Sequence, residues 1–248
     1  MLVAMALASL TAAAVAEAQF FEAAIPIRPN VPYDGQFTFV RLRYGPRVAY
    51  ASQRIPWTHD YPLGEQHFMQ IMNEISYLRP KIVESNVMAL DDPDLPRYPL
   101  AYMSEPGYLV LTDEEAAAFR AYLLKGGFVI FDDFALERGG WDYFERVFQQ
   151  VIPGARWYQL DGSHAIFHSF FEIPEPVKFL PPYGHEQPPE YLGLFEDNDP
   201  EKRLMAIVNY NNDISEYWEF SNTGFAPISE SNEAFKLGVN YVIYGMTH

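Results

Sequence analysis

Two adjacent acids, Asp132 and Asp133, follow the apolar run Phe128-Val-Ile-Phe131. Such a run reads as a strand covered on both faces. Acids at its carboxyl end stand where ligands bind in open α/β sheets. They have the chemistry to hold a divalent cation, to bind a hydroxyl, or to act as acid and base. Neighbouring strand residues face opposite ways, so the two converge only if the chain turns between them. The bland alternative is that one caps a turn and the other meets a loop amide.

His164 and His168 are spaced i, i+4. A helix would align the two imidazoles as metal ligands, whereas a strand would leave them on one face but farther apart. His164, in a turn expected to approach the strand ends, is the better single candidate. The catalytic candidates are therefore Asp132, Asp133 and His164, and the metal-ligand candidates Asp133, His164 and His168. Arg41 and Arg43 share one face of a strand that reads as central, and a buried arginine needs a carboxylate. The reading favoured is a structural ion pair with Asp132 or Asp133. Arg43, Tyr44, Trp57, His59, Asn211 and Glu219 are candidates to line a ligand crevice. Tyr50, Trp57, Tyr61, Trp141 and Trp218 suit either stacking platforms for sugars or satellite cores under loops.

The elements that position these groups are legible in part. Thr112 and Glu115 form a capping box, and Gly126 stands where a C′ glycine belongs. A helix over 112–124 is expected to pack through Phe119, Tyr122 and Leu123. Residues 37–44, 87–90, 99–103, 157–160 and 204–210 read as strands; 64–78, 141–151 and 230–246 read as helices. The segment 165–171 follows a turn, and the polar stretch 211–224 reads as a loop. Strands alternating with helices predict a mainly parallel, helix-flanked sheet, with 37–44, 128–132 and 204–209 in it.

The domain plan is a signal peptide over 1–18, a Pro-rich extended arm over 19–36, and one α/β domain over 37–248. A Pro-rich insertion covers about 173–190. The leader reading rests on a short apolar run and on Ala16-Glu17-Ala18 as a cleavage site, although no Lys or Arg precedes Arg28. It places the mature protein in the periplasm or outside the cell, with no transmembrane segment left after leader removal. A net charge of −16 argues against a nucleic-acid partner. The chain has no Cys, which removes disulfides, thiolate metal sites and a thiol nucleophile.

Six segments together resemble the bacterial domain of unknown function 4159 family. They are Phe39-Val-Arg-Leu-Arg-Tyr44, Tyr98-Pro-Leu-Ala-Tyr102, Leu111-Thr-Asp-Glu-Glu115, Gly126-Gly-Phe-Val-Ile-Phe-Asp-Asp133, the stretch from His164 to His168, and Phe235-Lys-Leu-Gly-Val-Asn-Tyr-Val-Ile-Tyr244. The resemblance implies a flavodoxin-like, class I glutamine amidotransferase-like three-layer sandwich and supplies no reaction. Amidotransferases of that class use a cysteine, so glutamine hydrolysis through a thioester is excluded. The strand exit Phe131-Asp-Asp-Phe-Ala135 offers no serine elbow either.

The leading functional expectation is an exported, non-enzymatic module that binds a partner protein or small ligand at the strand-end crevice. It needs no cofactor. The alternatives are a hydrolase, with or without a divalent metal, using Asp132 or Asp133 and His164 on a glycan or peptide, and a carbohydrate-binding module. Intact-mass measurement on protein from the native host is expected to show a chain starting near Gln19; a cytoplasmic pool retaining Met1 would contradict the leader.

Overall fold

The computed structural model describes residues 24–52, 54–134, 140–176 and 188–248. Its centre is a seven-stranded sheet of β2 (Phe39–Arg43), β4 (Ser85–Ala89), β5 (Leu100–Ser104), β6 (Phe128–Asp132), β7 (Trp157–Gln159), β8 (Glu190–Phe195) and β9 (Leu204–Tyr210), in the order β4-β2-β5-β6-β9-β8-β7. The five strands from β4 to β9 run parallel; β8 is antiparallel to both its neighbours. A two-stranded ribbon pairs β1 (Ile25–Pro26) with β3 (Tyr50–Ala51).

Side chains alternate across the sheet and bury two apolar layers. Val40, Leu42, Met103, Val129, Phe131 and Val208 face α2 (Asp113–Leu124) and α3 (Gly140–Val151). Phe39, Leu100, Phe128, Ile130 and Ile207 face α1 (Leu63–Ile75), α4 (Ile214–Glu219) and α5 (Ile228–Thr247). This is the expected three-layer α/β sandwich, with 37–44, 128–132 and 204–209 contributing to one sheet. Among the described residues no helix is long and apolar enough to cross a membrane.

The best-specified element formed as its sequence demands. Thr112 Oγ1 accepts from Glu115 N–H at 3.2 Å, and Glu115 Oε2 accepts from Thr112 N–H at 2.9 Å. Together they satisfy two of the orphan amides of the first turn. Phe119, Tyr122 and Leu123 are buried against the sheet, and each large side chain buried there contributes about 1.5–3 kcal/mol.

The arm has a definite job where it is described. Asn30 donates to the Val87 carbonyl and accepts from the Val87 amide, while Val31 exchanges two hydrogen bonds with Asn86. These contacts cover the outer edge of β4, which would otherwise offer an unpaired strand.

Several boundaries and elements differ from the sequence expectations. Residues 165–168 form a 3-10 helix, and the stretch expected to be loop holds α4, N-capped by Asp213. The strand β8 lies just beyond the Pro-rich insertion, of which 177–187 are outside the described residues; so are residues 1–23, where the leader falls.

Arg41 takes neither of the acids expected of it. It is fully buried and pairs with Glu65 on α1, Nε to Oε1 at 3.1 Å and Nη2 to Oε2 at 2.7 Å. Arg43 is partly exposed and answers to Asp91, Asp92 and Glu115, with Arg47 opposing them. The reason is geometric: the α1 first turn descends onto the middle of β2, whereas Asp132 is claimed by α4.

Candidate functional site

The site lies at the carboxyl ends of β5, β6 and β9, on the face covered by α1, α4 and α5. Its deepest member is Asp132, with no solvent exposure. Asn209 Nδ2 donates to its Oδ1 at 2.8 Å, and the amides of Ile214 and Ser215 donate at 3.3 and 3.1 Å. The Tyr102 hydroxyl stands 3.0 Å from Oδ2, and Tyr241 donates to Asn209 from α5. Asp132 therefore fastens the N-terminus of α4, where a helix favours negative charge, and ties three helices and strands together. Burial, followed by the Asp133 charge, pushes its pKa up to about 7 against the pull of these donors.

The chain then turns. Asp133 adopts φ +62°, a left-handed conformation few non-glycine residues take, and its amide donates to Asn212 O at 3.0 Å. This turn sends the second acid out of the sheet toward solvent. Its Oδ2 lies 3.2 Å from His59 Nδ1, and both side chains are partly open to water. Burial disfavours the His59 cation, but the hydrogen bond with Asp133 and the charges of Asp60, Asp133 and Glu105 outweigh it and raise its pKa to about 10.

His59 and Asp60 come from the loop between β3 and α1, a 3-10 turn at Pro56–Thr58 followed by a left-handed residue at Asp60. Arg41 sets the position of this loop, because its Nη1 donates to the carbonyls of Trp57 and His59 at 3.2 and 2.7 Å. Gly64 allows a close approach: a Cβ there would sit 3.2 Å from Asp60 Cβ and 3.5 Å from Ser215 O. Asp60 Oδ2 accepts from Ser215 Oγ at 2.5 Å.

Asp213 completes the inner layer. Its Oδ1 accepts from Glu216 N–H at 3.0 Å as the α4 cap, and burial together with Asp133, Asp60 and Asp132 holds its pKa well above the usual carboxylate range. One ligand atom each from His59, Asp133 and Asp213 lies within 4.8 Å of the others, and the same holds for Asp60, Glu216 and Glu219. The His59 imidazole thus lies with Asp133 and Asp213, within the field of Asp60 and Glu105, while Asp60 joins Glu216 and Glu219 in a second acidic group.

The structure brings together Asp132, Asp133, His59 and Glu219 from the expected set. Asn211 is buried in a left-handed turn just before Asn212, whose carbonyl accepts from the Asp133 amide. Tyr44 plugs the neighbouring gap between β2 and β5, its hydroxyl 3.1 Å from Ser104 O and 2.6 Å from Glu105 O. Trp57 is in the core, as are Tyr61 and Trp218, so these rings offer no stacking face; Tyr50 is exposed on the ribbon and Trp141 packs on Phe134, Phe144 and Tyr210. Arg43 lies in the field of Asp91, Asp92 and Glu115, none of them among the acids of this cluster.

His164 and His168 lie elsewhere. His164 packs on Phe195 and Tyr244, at the opposite end of the sheet, because Phe195 pairs with Leu204 at the start of β9. His168 bonds Glu172 and Gly162 O. The 3-10 geometry between them, three residues per turn, removes the alignment a helix would give an i, i+4 pair. The residues not singled out as candidates are Asp60, Asp213 and Glu216. Asp213 and Glu216 did carry a signal, an acid three residues before another acid as in a capped first turn. Asp60 carried none.

A family model matches residues 38–246. The chain belongs to the family described as Domain of unknown function (DUF4159). A comparison with curated proteins finds no match. As a member of this family, the chain presents a site whose chemistry must be read from its own side chains, and the match spans every residue of the acidic cluster.

Both raised groups bind protons more tightly when folded than unfolded. The stability each provides is present below its unfolded value and lost as pH rises through the folded one. For Asp132 that window runs from 3.8 to about 7, and for His59 from 6.5 to about 10. Thermal melts are expected to show Asp132→Asn flattening the loss of stability between pH 4 and 7, and His59→Gln flattening it above pH 6.5. Slopes identical to the wild type in both windows would contradict the assignment.

Proposed function

We propose that the protein is an exported α/β module that holds a positively charged group of a partner protein or small ligand in the acidic crevice at the carboxyl ends of β6 and β9. The observation that carries this reading is the surplus of charge. Asp133 and Asp213 gather with the His59 imidazole, Asp60 gathers with Glu216 and Glu219, and part of this cluster is open to water. A cationic group relieves repulsion that the fold otherwise tolerates at a cost in stability, as functional sites do. The leader-like segment and the acidity of the chain support export.

A second reading, metal-assisted or simple hydrolysis of an exported glycan or peptide, draws support from the His59–Asp133 contact at 3.2 Å. There His59 takes the acid–base role for which His164 lies too far away. The binding reading is the broader one, since it needs only the charge surplus.

Spermidine and a Lys-rich peptide serve as probes, with citrate as the anionic control. Both cations are expected to raise the melting temperature of the full chain and to lose that effect in Asp133→Asn. Protection by citrate alone, or equal protection of the variant, would overturn the proposal.

A further inference from the structure

We propose that the crevice holds a divalent transition-metal cation between His59, Asp133 and Asp213. This rests on the reading that the crevice takes positive charge, and it names the charge.

The donor set comes first. One nitrogen and two carboxylate oxygens drawn from three separate segments already lie within 4.8 Å of one another. Bonds of about 2.1 Å to one ion place such donors about 3.4 Å apart in a tetrahedral arrangement, within reach of small rotamer changes. An imidazole beside two carboxylates suits Mn²⁺, Fe²⁺ or Zn²⁺ better than an all-oxygen site for Ca²⁺ or Mg²⁺. Three protein donors leave coordination positions for water or a ligand atom.

The donors are also held. Asp213 is fixed as the α4 cap through Oδ1. The Asp133 amide is bonded to Asn212 O. The His59 carbonyl is gripped by Arg41 at 2.7 Å. Such supports orient ligands in metal sites generally.

An independent observation points the same way. Asp60 is 6% exposed, and its Oδ1 finds no hydrogen-bond donor among the described residues. Ser104 is fully buried, and its Oγ is likewise unpartnered. Ser104 stands beside Asp132 in the parallel register, so both side chains project from the same sheet face. A buried unpaired polar atom costs about 1–3 kcal/mol, and native proteins rarely keep one without an ion, a water or a function to answer it. Asp60 follows His59 directly and acts on both His59 and Asp213, and Ser104 flanks the strand end that leads into Asp133. A hydrated cation answers such groups, since its bound waters supply the missing donors and acceptors.

The second triad, Asp60, Glu216 and Glu219, is all oxygen and begins at the residue after His59. It adds negative charge beside the first and strengthens the attraction for a dication.

Isothermal titration of chelator-treated full-length protein with Mn²⁺, and with Zn²⁺ and Ca²⁺ in parallel, tests the proposal. Stoichiometric Mn²⁺ or Zn²⁺ binding is expected, weakened at least about 10-fold in both Asp133→Asn and His59→Gln. Those positions are partly exposed, and thermal melts verify that each variant is folded. Binding of Mn²⁺ unaffected by either substitution would overturn the site, as would a preference for Ca²⁺ alone. Failure of every metal with retained spermidine binding would overturn the metal and leave the cation-binding function standing. Failure of metal and spermidine together would remove both.

Discussion

A single buried ion pair sets where the rest of the site can be. Arg41 sits in the middle of β2 with no access to water, and a charge there persists only because Glu65 meets it with both oxygens. Burial alone would lower the proton affinity of the guanidinium, yet the Glu65 carboxylate more than restores it. Tyr102 presents its ring 5.0 Å from the guanidinium carbon. Removing one partner of such a pair costs about 3–5 kcal/mol, because the other charge is left buried and unmatched. The pair does more than hold α1 on the sheet. The remaining Arg41 donors grip the carbonyls of Trp57 and His59, so the loop carrying His59 and Asp60 is placed by the same residue.

Asp132 plays the corresponding part on the other side. It converts the exit of β6 into a socket for α4, and α4 then presents Asp213, Glu216 and Glu219 toward the loop that Arg41 has fixed. Gly238 lets α5 press on this assembly, since a Cβ there would meet Trp218 Cζ2 at 2.6 Å. The two buried acids thus differ from their neighbours in kind. Glu65 and Asp132 are satisfied and structural, while the group around His59 and Asp133 is crowded with like charge. Crowding that no fold needs is a common mark of a binding site.

Much of the architecture was legible because local signals agreed. The Thr112 capping box, the apolar run of β6 and its acid pair all speak within the one stretch 112–133. The turn between Asp132 and Asp133 was legible as a condition but not as a fact, since a left-handed aspartate has no sequence signature. The partner of Arg41 was not legible at all. Many acids compete for one arginine, and the choice is made by how α1 lands on β2, 24 residues downstream. The helix α4 is too short to display periodicity, so its capping aspartate looked like turn chemistry. His164 was misplaced for a topological reason. It belongs to the antiparallel flank of the sheet, where the rule that ligands gather at the carboxyl ends of parallel strands gives no guidance.

The central claim is that the Arg41–Glu65 pair places His59 among the carboxylates. Following the His59 imidazole by NMR against pH, in the wild type and in an Arg41→Met/Glu65→Leu double variant, tests it directly. Apolar replacement of a whole buried pair is often neutral or stabilising, and cooperative thermal unfolding of both proteins verifies that the double variant is folded. The account predicts a wild-type His59 pKa near 10 that falls toward 6.5 in the double variant, as the loop is released. The same raised value in both proteins would show that the loop finds its place without Arg41, and would contradict the account.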